Sequence, residues 1–169
     1  MMSAVQHLRA ALAADHDTVD AAFGGFDLAD PADYGRFLTA HARALPAVEA
    51  VLGEVSGLPP LRPRTPLLAA DLAGLGLSMP APLPFVLDGS RAAAFGAAYV
   101  VEGSRLGGGV LSRAVPAGLP NAYLTATHLP GEWRGFLAAL DAAAENEAWI
   151  AEAIASGRAT FALYRDAAA

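Results

Sequence analysis

The sequence predicts an all-α, single-domain multi-helix bundle spanning residues 1–169, with six to eight helices. Three observations carry this. Apolar residues recur at three- and four-residue spacing in segment after segment, and no stretch alternates in the manner of a strand. Proline, glycine and short capping residues punctuate those segments at the places where helices start and stop. The composition is 54% hydrophobic and 17% charged, which suits a globular chain able to bury its own core.

The elements follow in order. Ser3 caps a first helix and Gln6 completes a capping box. The stripe of that helix runs Val5, Leu8, Leu12, Val19, Phe23, and Gly24 with Gly25 stops it. Asp30-Pro31 opens a second helix with proline at its first position. Tyr34, Phe37, Leu38, Leu45, Val48 and Leu52 form its apolar face, and Pro46 is expected to kink or break it. SGLPPLRPR reads as a loop, after which Thr65-Pro66 is expected to cap a third helix over about 67–75. SMPAPLPF is another loop, followed by a fourth helix from about Arg91 to Ala114. A short helical segment is expected around Tyr123. Leu129-Pro130 opens a helix through Trp133, Phe136, Leu137 and Leu140. The last helix carries Trp149, Ile150, Ala153, Ile154, Phe161 and Tyr164, with a bend expected at Gly157.

Composition also excludes chemistry. Cysteine is absent, which removes disulfides, thiolate nucleophiles and zinc–cysteine sites. Lysine is absent too, so no Schiff-base or phosphate-loop lysine exists. The eleven basic residues are all arginine, they are scattered, and the formal charge is −6; nucleic acid is not the expected partner. No window reaches the ~18 apolar residues of a membrane span. The N-terminus MMSAVQHLRAAL lacks the basic and apolar regions of a signal peptide, so the expectation is a cytoplasmic protein.

Two features stand out. His16 fills the gap in the first stripe, completing the face 5, 8, 12, 16, 19, 23. A histidine there is either a core residue satisfied by a hydrogen bond or a ligand to a metal or haem. Arg9, two turns earlier, lies within ~20° of the same face. It either extends to solvent or meets a carboxylate beside whatever His16 touches. His41 also sits on an apolar face, whereas His7 and His128 do not.

The second feature is AYVVEGSRLGGGVL, residues 98–111, with four glycines in a helical stretch. Each costs about 0.5–1 kcal/mol relative to alanine in a helix interior. It is not a phosphate loop, because the lysine is missing, nor a dinucleotide fingerprint, because no strand precedes it. Gly103 and Gly107 share a helix face. They serve either close helix–helix packing or close approach of backbone to a flat ligand, with Gly108 and Gly109 allowing a bend. Glu102 is the one carboxylate in the segment, too little for acid–base catalysis by itself. No GxSxG or HExxH exists.

An apolar-face histidine in LRAALAADHDTVD followed by AYVVEGSRLGGGVL resembles the bacterial, biliverdin-producing haem oxygenases of the phytochrome-associated type. DYGRFLTAHARALPAVEAVL is similar to the family's second helix and ATFALYRDA to its last, so the resemblance covers nearly the whole chain. It implies a haem-oxygenase-like bundle with haem between the first helix and a glycine-kinked distal helix. His16 then takes the place of the axial iron ligand. Gly103 and Gly107, with Gly108 beside them, take the place of the glycines over the haem face. Arg9 falls where animal enzymes carry a basic residue for a haem propionate. Ser104 stands where those enzymes have an aspartate that organises distal water. Arg158 is the candidate propionate partner in the last helix. The implied reaction opens the haem ring to biliverdin with O2, releasing CO and ferrous iron. Electrons come from a ferredoxin or reductase, and the product can pass to a phytochrome. The alternatives are a haem sensor or carrier of the same fold, and a helical interaction module in which His16 is core. A thiaminase-like relative lacks its usual cysteine here.

Overall fold

The computed structural model describes residues 1–169 and contains helices and no strands. The helices are α1 (Ala4–Phe23), α2 (Pro31–Leu52), α3 (Thr65–Gly74), α4 (Arg91–Leu111), α5 (Ala122–Thr125), α6 (Glu132–Ala143) and α7 (Glu147–Ala168). A single 3-10 turn, Ser112–Ala114, extends α4. Their inward faces share one core that includes Leu8, Leu12, Phe37, Leu45, Phe95 and Leu163.

The start of α1 is as its sequence requires: the Ser3 hydroxyl accepts from the Gln6 amide and the Gln6 side chain accepts from the Ser3 amide. Gly24 ends the helix in a right-handed conformation rather than the left-handed one common at such ends. Asp30 caps α2 through the Asp33 amide. Three expectations need correction. Pro46 does not break α2, which continues to Leu52. One backbone bond is lost there, but Leu45 and Val48 on either side are fully buried, and that packing holds the helix. Thr65 is not a cap; it is the first residue of α3. The capping carboxylate comes from Glu49 on α2, which accepts from the amides of Arg64 and Thr65 at 2.7 and 2.9 Å. Gly157 lies within an unbroken α7, and a Cβ on it would meet Leu12 Cδ1 at 2.7 Å; it admits α1 rather than bending α7.

α7 is the hub, packing on α4, α1 and α2. Its contact with α4 is the closest in the molecule. A Cβ on Gly96 would lie 2.0 Å from the Ala153 carbonyl oxygen, so the two backbones touch. The buried Ser156 hydroxyl adds a hydrogen bond to the Ala93 carbonyl at 2.5 Å. α1 and α4 both rest on α7 but share no comparable contact with each other. A gap opens between them.

A chain of polar contacts fixes one end of that gap. The buried Asp71 of α3 accepts from the amides of Ala122 and Tyr123 at 3.0 and 2.9 Å and so caps α5. Tyr123 in turn places its hydroxyl 2.7 Å from His41 Nδ1 on α2. The His41 ring is walled by Phe23, Phe37, Tyr123 and Tyr164. Burial, aided by the Arg64 charge, pushes its pKa down to about 3.

Two outcomes follow for stability. Gly96→Ala should destabilise the fold by about 2–4 kcal/mol or prevent folding. Gly107→Ala, with nothing within 4 Å of its new methyl, should stay within about 1 kcal/mol of wild type. Urea unfolding of both variants checks the contrast. The neutral His41 makes stability pH-dependent. The unfolded chain takes up a proton near pH 6.5 that the folded chain refuses until about pH 3, so stability falls as pH drops between those values, by a few kcal/mol at most. His41→Gln should flatten that slope in urea midpoints measured from pH 7 to 4; an unchanged slope means that another group carries it.

Candidate functional site

The gap between α1 and α4 is a cavity of about 310 Å³, within the range of small-molecule sites. α1 supplies Arg9, His16, Val19, Asp20 and Phe23 to its wall. The glycine segment of α4 forms another wall through Gly103, Ser104, Gly107 and Gly108. Thus five of the residues singled out in the sequence on separate helices, together with Gly108, meet at one site. Arg158 does not join them. Its guanidinium lies 3.4 Å from Asp15 Oδ2 and 3.2 Å from the Ala11 carbonyl, away from the cavity lining.

His16 is not a core residue. Its side chain is 58% exposed, although Phe161 meets the ring edge-on at 6.0 Å. Nδ1 faces the carboxylates of Asp20 at 3.5 Å and Asp17 at 3.6 Å, and Nε2 has no protein partner. A carboxylate on one ring nitrogen orients the imidazole and makes the other nitrogen a better ligand. No group of three or more His, Asp or Glu is placed to hold a bare metal ion. A metal bound through His16 must therefore bring its remaining ligands with it, as a porphyrin does.

The four glycines divide by what their missing side chains would meet. A Cβ on Gly108 would come within 3.1 Å of the Leu124 carbonyl, and one on Gly109 within 3.0 Å of the Thr127 methyl. These two are packing glycines. On Gly103 a Cβ would make ordinary contact with the Trp133 ring at 3.5 Å, and on Gly107 it would meet nothing within 4 Å. Both face the cavity. No protein atom explains the bare backbone at Gly107, which is exposed in the cavity wall.

Polar groups close the far end of the cavity. Arg64, only 3% exposed, donates through Nη2 to the Val101 carbonyl and to Ser104 Oγ at 2.6 and 2.9 Å. Its Nε has no partner, and its cation lies over the Tyr123 ring at 5.1 Å. The Ser104 hydroxyl in turn donates a hydrogen bond to the Val101 carbonyl. The Tyr164 hydroxyl is buried and unpartnered. Burial raises the pKa of Tyr164 and of Tyr123, so both keep their protons. Glu102 lies outside the cavity wall, paired with the buried Arg105, which also binds the carbonyls of Ala126 and Arg62. That pairing removes it as an acid or base.

Sequence reasoning did not find Arg64, Tyr164 or Trp133. Arg64 sits in a proline-flanked loop with no periodicity to mark it. Tyr164 and Trp133 look like core aromatics, because one edge of each is core. Tyr99 of α4 and Tyr123 of α5 also line the cavity.

No protein-family model matches the chain. Heme oxygenase of Xanthomonas campestris pv. campestris (strain 8004) is 35% identical over 144 residues, spanning 79% of this chain and 87% of that protein. The crystal structures of NO- and CO-bound heme oxygenase from Neisseria meningitidis superpose with a TM-score of 0.81 at 25% identity, covering 99% of this chain and 91% of that one. The helix order, the cavity between α1 and α4 and these two likenesses agree, and the chain belongs to the haem oxygenase family.

Proposed function

We propose that haem binds in the cavity between α1 and α4, where His16 Nε2 would hold the iron and the backbone of Gly103 and Gly107 would lie against the ring. The observation that carries this is Gly107: its absent side chain meets no protein atom, in a cavity whose α1 wall bears an imidazole nitrogen without a partner. The residues present fit the group. A flat macrocycle needs bare backbone over its face, and the iron needs one neutral imidazole. Arg9, which makes no ion pair or hydrogen bond within the protein, is left to meet a propionate at the cavity edge. Arg158, engaged by Asp15, is the weaker partner for that role.

The chain works as a haem oxygenase, an enzyme that converts haem to biliverdin. Haem supplies the redox chemistry and is also the substrate; the protein binds it, orients it and manages protons. The Ser104 hydroxyl is not an acid, and it is committed to the Val101 carbonyl, so it delivers no proton itself. The groups around it orient water by hydrogen bonding rather than release protons themselves. Arg64 Nε and the Tyr164 hydroxyl are buried donors without protein partners, and the Tyr123–His41 pair stands beside them. Ordered water is the natural occupant of such a site. The aromatic wall of Phe23, Phe37, Trp133 and Phe161 keeps bulk water from the rest.

The finer assignments rest on the resemblance of the sequence. Electrons come from a separate ferredoxin or reductase, and CO and ferrous iron leave with the bilin. The protein works in the cytoplasm, in keeping with the lack of any helix long and apolar enough to cross a membrane. The biliverdin serves as a phytochrome chromophore.

His16→Ala should abolish the histidine-ligated haem spectrum while leaving the fold intact, since the ring is largely exposed. Adding free imidazole should restore it. An unchanged spectrum in the variant means that another histidine, His41 first, is the ligand. Gly107→Leu should fold normally and lose haem affinity by at least about tenfold, because its side chain must enter the space beside the helix. Normal affinity in an absorption titration contradicts close approach at Gly107.

A further inference from the structure

A second cavity, of about 190 Å³, borders α4 at Val101 and Glu102 and shares no lining residue with the first. The end of α2 and the segment leading on to α3 complete its wall. Much of the lining is apolar, supplied by Leu52, Val55, Leu58, Leu61 and Val101. Three charged side chains also reach it: Glu49, Arg62 and Glu102. Arg62 is neutralised from outside the lining, by both oxygens of Glu132, and it also donates to the Thr127 carbonyl. Glu49 meets neutral donors, the amides of Arg64 and Thr65 and the Thr65 hydroxyl. Glu102 differs from both. Its side chain is only 9% exposed, and Oε2 takes the Nε proton of Arg105 at 2.5 Å. Oε1 accepts from no group of the protein. A carboxylate so far removed from water ordinarily has both oxygens satisfied, because each unmet acceptor keeps its desolvation cost.

We propose that this cavity binds a small organic cation, an amidinium or ammonium group carried on an apolar body about one ring in size. The N–H donors of the ligand meet Glu102 Oε1 and leave Arg105 on Oε2. A charge-assisted hydrogen bond of that kind is about twice as strong as one between neutral groups. The apolar body covers Leu52, Leu58 and Val101 and removes them from water. The sign of the charge follows from the surroundings. Glu49, Glu102 and Glu132 outnumber Arg62 and Arg105 by one charge, and the Arg64 side chain lines the other cavity. A cation balances that excess, whereas an anion adds to it. The proposal does not depend on the haem reading, because the two cavities have no residue in common.

The test uses three probes of one shape: para-fluorobenzamidine as the cation, para-fluorobenzamide as its neutral counterpart and para-fluorobenzoate as the anion. Fluorine NMR follows binding to the full chain, with and without CO-bound ferrous haem, and backbone amide shifts locate the probe. The amidine should saturate at about 1 mM or below and bind at least about fivefold tighter than the amide, and that preference should shrink at high salt. The benzoate should not saturate. Shifts should fall on Val55, Leu58 and Glu102, and haem should leave them in place. Glu102→Gln keeps an acceptor and removes the charge, so the preference for amidine over amide should drop to about twofold or less. Val55→Phe leaves the Glu102–Arg105 pair untouched and fills space in the cavity; it should weaken the amidine about fivefold or more. Equal affinity for amidine and amide overturns the proposal. So do shifts confined to Gly103, Ser104 and Gly107, displacement of the probe by haem, or full affinity in Val55→Phe.

Discussion

The contact between Gly96 and Ala153 sets the geometry of the molecule. A carbonyl oxygen of α7 occupies the space where a side chain of α4 would be, so the two helices cross at backbone distance. Ala153, Ser156, Gly157 and Thr160 continue that small-residue face along α7, and all are buried. α4 settles on it through Gly96 and the Ala93–Ser156 bond; α1 settles on it through Leu12 against Gly157. With both helices held to α7, the gap between them is fixed by the frame rather than by their own side chains. The cavity is a consequence of that arrangement, and it persists because no side chain of α4 grows into it at Gly103 or Gly107.

The same helix thus uses glycine for three different ends. Gly96 admits another backbone, Gly108 and Gly109 admit the segment around Leu124 and Thr127, and Gly103 and Gly107 face the cavity. Each lowers helix stability relative to alanine, and the packing of α4 between α7, α2 and α5 offsets that cost. The far end of the cavity is organised by another economy of parts. Glu49 caps α3, Asp71 on α3 caps α5, and Tyr123 on α5 returns to His41 on α2. In this circuit the carboxylates of Glu49 and the buried Asp71 are satisfied by backbone amides rather than by cations, and Arg64 keeps a buried Nε without a partner.

Much of the fold was legible because helix ends are local chemistry. Ser3 with Gln6 and Asp30 before Pro31 cap their own helices as their sequence suggests, and the structure adds Ser90 before α4 and Asn146 before α7, which sequence reasoning did not single out. The cap of α3 was not legible, because Glu49 acts from sixteen residues away in sequence. Pro46 misled for a related reason: the buried neighbours that hold α2 together are tertiary facts. At the site, His16 and the cavity-facing glycines announced themselves as residues out of keeping with their helix faces. Arg64 had no such context, and Arg158 was placed by resemblance to a helix whose outer face proves to be tied to Asp15. Gly96, hidden in an alanine-rich run, gave no hint that it was the tightest point in the molecule.

The account turns on the cavity between α1 and α4 holding haem as substrate. The most direct measurement is an absorption titration of the purified protein with haemin, followed by ascorbate in air. The account predicts a Soret band that saturates at one haem per chain and then gives way to the broad red band of biliverdin. A Soret band that saturates and persists contradicts the enzyme and leaves a haem carrier. No Soret change at all contradicts the cavity's assignment to haem.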